Sequence, residues 1–124
     1  MLEQRTLTEK IIGLAIELHR TVGPGLLESV YAACMALELG HSGISFETQI
    51  TVPVIYKGMT VPLGFRADIV VESTIILEIK AVAALLPAHD AQLLTYLRMS
   101  NLRIGLLMNF HAPLLKDGLR RFIV

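Results

Sequence analysis

Three residues in this chain of 124, Asp68, Glu78 and Lys80, have the types and spacing to do chemistry together. They lie in Phe65-Arg66-Ala67-Asp68-Ile69-Val70-Val71, a polar break Glu72-Ser73-Thr74, and Ile75-Ile76-Leu77-Glu78-Ile79-Lys80. Two apolar, β-branched runs around a short break predict a hairpin. Side chains alternate along a strand, so Glu78 and Lys80 share a face. With all three break residues in the turn, Asp68 falls opposite Glu78, with Cβ atoms roughly 5 Å apart. Two carboxylates that close repel each other unless a cation lies between them. A divalent metal fills that role, and Lys80 adds further positive charge. Each acid alone has an alternative use, Asp68 in an ion pair with Arg66 and Glu78 in one with Lys80. Both acids on one face among apolar neighbours favour the metal site, because unpaired buried charge is costly.

Other polar side chains sit where they can face such a site. Glu28 and Tyr31 are three apart on a predicted helix and share one side of it. Gln92 and Tyr96 are four apart on another, with His89 three residues before Gln92. Tyr31 reads first as core packing, and His89 also suits a helix start. His19, His41 and His111 lack metal-ligand spacing and read as surface or structural. There is no nucleotide-binding phosphate loop and no serine or cysteine nucleophile motif.

Around these residues stand longer motifs: Gly25-Leu26-Leu27-Glu28-Ser29-Val30-Tyr31 upstream, and Gln92-Leu93-Leu94-Thr95-Tyr96 downstream. In this order they resemble the GxxExxY family, a small bacterial branch of the PD-(D/E)XK nuclease superfamily, over roughly Leu7 to Val124. The resemblance implies a restriction-endonuclease-like α-β-β-β-α-β core, an α/β fold with a mixed sheet flanked by helices. It implies a metal-dependent nuclease that hydrolyses phosphodiester bonds, with DNA as the expected substrate. Asp68, Glu78, Glu28 and the Ile79 carbonyl are then the implied ligands of Mg²⁺, with Mn²⁺ as a substitute. Lys80 would hold the attacking water or stabilise phosphate charge, and Gln92 and Tyr96 complete the site. The alternative is a non-enzymatic module that keeps the nuclease scaffold and binds a protein partner or nucleic acid. Phosphoryl chemistry on RNA or a nucleotide is a minor third.

The elements that must position these residues follow from periodicity and breakers. Thr6-x-x-Glu9 fits a capping box, and Leu7, Ile11, Leu14, Leu18 and Val22 continue at helical spacing. Gly23-Pro24-Gly25 ends that helix. A second helix is expected from about Leu26 to Leu39, ending at Gly40, with Leu27, Val30, Tyr31, Cys34 and Leu37 as its apolar stripe. Ser45 to Tyr56 reads as a strand that Pro53 interrupts or places at an edge. Lys57-Gly58 is a turn, and Met59 to Val61 a short return strand before Pro62. After the hairpin, Pro87 opens a helix to about Met99. A buried strand follows at 103–110, and a last one at 120–124.

Composition bounds the rest. The length suits one domain, 1–124. The hydrophobic share of 53% is high for a small domain and leads to an expectation of a buried homo-oligomer interface. No apolar run reaches the roughly 20 residues of a membrane span, and a single cysteine, Cys34, fits a reducing cytoplasm. Eleven basic residues balance eleven acidic ones, which argues for weak unaided grip on a phosphate backbone. Arg98, Arg103, Lys116, Arg120 and Arg121 are the residues for a local basic stripe.

Overall fold

A computed structural model describes residues 4–124, with Leu63 by its backbone alone. Two helices come first, α1 (Gln4–Val22) and α2 (Glu28–His41). Three strands follow, β1 (Phe46–Tyr56), β2 (Met59–Val71) and β3 (Ile75–Lys80). Helix α3 (Pro87–Ser100), strand β4 (Ile104–Asn109), a 3₁₀ turn (Leu115–Gly118) and strand β5 (Leu119–Ile123) complete the chain. The five strands form one sheet in sequence order. β1, β2 and β3 pair antiparallel, β4 joins β3 in parallel after the α3 crossover, and β5 returns antiparallel. This is the mixed α/β sheet, flanked by helices, of the restriction-endonuclease-like fold.

Each face of the sheet has its own core. On one side Leu7, Ile11, Tyr31, Met35 and Leu39 of α1 and α2 pack on Ile69, Ile75, Leu77, Ile79, Leu106 and Met108. On the other, Leu93, Tyr96 and Leu97 of α3 pack on Val52, Ala67, Ile76 and Leu107. Strands β3 and β4 are therefore covered on both faces. Their near-continuous apolar runs follow from that, since a strand covered on both sides has no polar face to present. Among the described residues, no helix is long and apolar enough to cross a membrane.

Several local expectations change. Helix α1 already includes Gln4, so Thr6 lies inside it and is not its cap. Helix α2 starts two residues later than expected and runs through Gly40 to His41; Gly43, at φ 70°, takes up the left-handed position after it. Its buried stripe is Tyr31, Met35 and Leu39, whereas Leu27 and Leu37 are 72% and 64% exposed. The apolar residues of α2 surround much of the helix, so composition alone did not single out the packed face. Met59 to Val61 is no separate strand. β2 runs on through Pro62, because a register shift opposite Pro53 and Val54 leaves Pro62 outside the ladder and its missing N–H is not required.

The link from α1 to α2 is held by one side chain. Gly23 and Gly25 take positive φ, 70° and 109°, where a side chain would be strained. The Tyr31 hydroxyl donates to the Gly23 carbonyl and accepts from the Leu26 N–H at 3.2 Å. Its ring stacks on Phe110 with centroids 4.6 Å apart. Tyr31 is thus both core and clamp, and it sets where α2 begins, at Glu28. Tyr31→Phe keeps the stacking and removes the clamp. It is expected to lower unfolding free energy by about 1–2 kcal/mol in urea denaturation; a change below a few tenths contradicts the clamp.

Candidate functional site

The hairpin turn contains Glu72, Ser73 and Thr74, with Glu72 and Ser73 left-handed at φ 48° and 53°. Val71 pairs with Ile75, Val70 with Ile76 and Ile69 with Leu77, so the next pair in register is Asp68 with Glu78. There the ladder stops, and β3 continues alone beside β4 through Lys80. Side chains replace the missing backbone partners. The Ile79 N–H donates to Asp68 Oδ2 at 2.7 Å. The Asp68 N–H donates to Glu78 Oε1 at 3.4 Å. The two carboxylates therefore occupy the gap where β2 parts from β3.

β1 departs from regular geometry at the same level. Thr48 pairs with Ile69 and Ile50 with Ala67, yet Gln49 and Asp68 between them do not pair. Gln49 is left-handed at φ 53°, a conformation that costs a non-glycine residue on the order of 1–2 kcal/mol. Ala67 packs into the α3 core and Ile69 into the α1/α2 core. Two residues apart in a regular strand would share a face, so β2 turns over at Asp68. That twist leaves Asp68 half-buried, lining an opening shared with Glu28 and Ser29 of α2, while Glu78 stays 3% exposed.

The electrostatics follow from this burial. Glu78 is pushed up to about 8, first by loss of solvent and then by the neighbouring Asp68; the Asp68 N–H and Lys80 oppose the shift only in part. Asp68 is also raised, mainly by burial, against its hydrogen bond from Ile79 and the charge of Lys80. Glu28 pushes both upward from the start of α2. Tyr96 rises to about 12, through burial and then through Glu78 and Asp68. Gln92 opposes that shift in part, and the Tyr96 ring packs against Phe65 at 4.5 Å. Glu28, Asp68, Glu78, Lys80, Gln92 and Tyr96, drawn from α2, β2, β3 and α3, thus meet around one gap.

The ion pairs weighed as alternatives are not formed. Among the described residues the salt bridges are Arg5–Glu9 and Arg120–Asp90, and neither touches the gap. Glu78 is consequently a desolvated carboxyl group beside the Asp68 carboxyl group. Hard oxygen donors of this kind suit Mg²⁺, which takes one or two carboxylates and keeps water and phosphate oxygens for its other positions. Among the described residues no three His, Cys, Asp or Glu side chains close into a metal cage. Glu28 lies at the mouth, beside Asp68, Ser29 and Gln49.

His89 is a helix cap: its Nδ1 accepts the Leu86 N–H at 2.9 Å. The basic stripe does not form as one surface. Neighbours Arg120 and Arg121 alternate along β5, Arg120 is bound to Asp90 at 2.6 Å, and Arg103 donates to the Val124 carbonyl at 3.0 Å. Two supporting residues carried no recognised signal. Gln49 looked like one more polar residue of a strand. Asn109, 4% exposed, grips both backbone groups of Val82, at 3.0 and 2.9 Å, and so holds the chain leaving Lys80. A lone polar residue ending the apolar run Ile104–Met108 was the available sign.

The pH dependence has a definite sign. A carboxyl raised in the folded state contributes stability below its unfolded value near 4.5, and that contribution is lost as pH rises through about 8. Metal-free protein is expected to lose thermal stability between pH 5 and pH 8, and Glu78→Gln to flatten that slope. At pH 8 the variant is expected to be more stable by more than about 1 kcal/mol. Parallel pH profiles for the two proteins contradict this reading of Glu78.

Comparison with curated proteins and with solved structures finds no match. A family model described as the PD-(D/E)XK nuclease superfamily matches residues 5–122, nearly the whole chain and every residue that meets at the gap. With an acidic pair and a lysine on the second and third strands of this sheet, the chain belongs to the PD-(D/E)XK nuclease superfamily.

Proposed function

We propose that this protein is a metal-dependent nuclease that hydrolyses phosphodiester bonds in DNA, of the GxxExxY type, with its site at the β2–β3 gap. The observation that carries this is the Asp68–Glu78 pair, two carboxylates in a desolvated gap with no ion pair to either among the described residues. Asp68 and Glu78 would hold Mg²⁺ or Mn²⁺ between them. The Ile79 carbonyl would join them, since the Ile79 N–H faces the gap and both polar groups of a strand residue point the same way. A bound divalent ion supplies Lewis acidity and a water of lowered pKa.

The chain's own residues do the remainder. Glu28 at the mouth would accept hydrogen bonds from water entering the site. Lys80 would place its ammonium against the phosphate, where negative charge grows during attack. Gln92 and Tyr96 would orient oxygens from the α3 side, with Tyr96 kept protonated, and therefore a donor, by its neighbours. Burial on both faces of β3 holds the carboxylates in place before substrate arrives.

A non-enzymatic binding module is the second reading, favoured by the exposed Leu27 and Leu37 of α2. A binder gains nothing from an unpaired, desolvated Glu78, so catalysis is preferred. Exposed Ile55, Tyr56 and Met59 at the β1–β2 turn support a homo-oligomer, which sedimentation of the same preparation would read.

Incubation of labelled DNA with Mg²⁺ or Mn²⁺ tests the proposal. Cleavage is expected, abolished by EDTA and reduced on the order of 10²–10⁴-fold by Lys80→Ala. Cleavage unchanged by Lys80→Ala would remove the site from this gap, and absence of cleavage on every strand form would remove the activity.

A further inference from the structure

The gap opens onto a groove of about 570 Å³ between α2 and the edge strand β1, within the range of ligand-binding clefts. Ala32, Ala33 and Ala36 of α2 form one wall, and Phe46, Thr48 and Gln49 of β1 the other. Asp68 lines this groove and also the mouth that Glu28 lines. Among the described residues lining this groove there is no lysine or arginine. Beside Asp68 the surface is therefore mainly apolar and without a cation, edged by the Ser29 and Thr48 hydroxyls and the Gln49 amide.

That chemistry does not suit a duplex backbone, which is held by cations at its phosphates. It suits a nucleobase. A base has an apolar planar face that packs on aromatic and aliphatic walls, and an edge of donors and acceptors that an amide can meet. A base reaches such a groove only when it is unpaired and unstacked. The left-handed Gln49 turns out of the β1–β2 ladder at the point where groove and gap join, and it lines both parts of the opening.

We infer that the α2–β1 groove seats one unpaired base of a single-stranded substrate, next to the phosphate at Asp68 and Glu78, with Gln49 contacting the edge of that base. This deepens the nuclease reading and rests on it for the place of the phosphate. It also accounts for a nuclease-fold chain of zero net charge: recognition by stacking and amide contact needs less basic surface than wrapping a duplex.

Binding and cleavage separate the two claims. Fluorescence anisotropy in Ca²⁺ would compare a labelled single strand, its duplex, and the same strand with abasic nucleotides. The intact single strand is expected to bind on the order of tenfold tighter than either of the others. Ala33→Phe, placed on the exposed face of α2 to fill the groove, is expected to erase that difference while circular dichroism stays native. Equal affinity for the intact and abasic strands, tighter binding of duplex, no binding of any strand, or a preference that survives Ala33→Phe in the folded protein would each overturn the inference. Cleavage of the same strands in Mg²⁺ is scored separately. A single-strand preference without cleavage would leave the groove assignment standing and remove the nuclease reading.

Discussion

The structure depends on what happens where β2 parts from β3. A β-ladder that ends inside a protein leaves backbone N–H groups that must find partners. Here carboxylates take that place: Asp68 accepts from Ile79, and Glu78 accepts from Asp68. The exchange satisfies the backbone and draws two acids together in a region poor in water.

The surrounding elements keep that gap open and in one geometry. β4 covers the far side of β3 in parallel register, so β3 stays straight through Lys80 without β2. Asn109 grips the segment that leaves Lys80. Tyr31, stacked on Phe110, fixes the loop that sets Glu28 at the mouth. Arg120 ties the first turn of α3 to β5 through Asp90, steadying the helix that carries Gln92 and Tyr96. The left-handed Gln49 lies opposite Asp68, where β2 turns over between its two cores. Backbone strain of this kind persists where the surrounding packing over-determines it.

The hairpin was legible because its register needs only a count: three turn residues, and a period of two, put Asp68 opposite Glu78. The crossover helix was legible from Pro87 and the edge strand from Pro53, since proline acts through local geometry. The packed face of α2 was not, because Leu27, Val30 and Leu37 are as apolar as Met35 and Leu39. Which of them is buried depends on where α1 lies, a tertiary fact. The continuity of β2 through Pro62 required knowing that Pro62 falls in a register shift. The groove was hidden for a similar reason, since Ala33 and Gln49 are far apart in sequence and unremarkable singly. The basic stripe failed on strand alternation, which sends Arg120 and Arg121 to opposite faces.

In the gap a divalent cation would take the place of the proton that burial and Asp68 hold on Glu78. Calorimetric titration of Mg²⁺ and Mn²⁺ at pH 7, in buffers of different ionisation enthalpy, tests that exchange most directly. With Glu78 raised to about 8, it carries its proton at that pH and must lose it when a metal binds. Saturable binding is expected, with release of up to about one proton per ion and loss of that release in Glu78→Gln. Binding with no proton release, or binding that Glu78→Gln leaves unchanged, would contradict it.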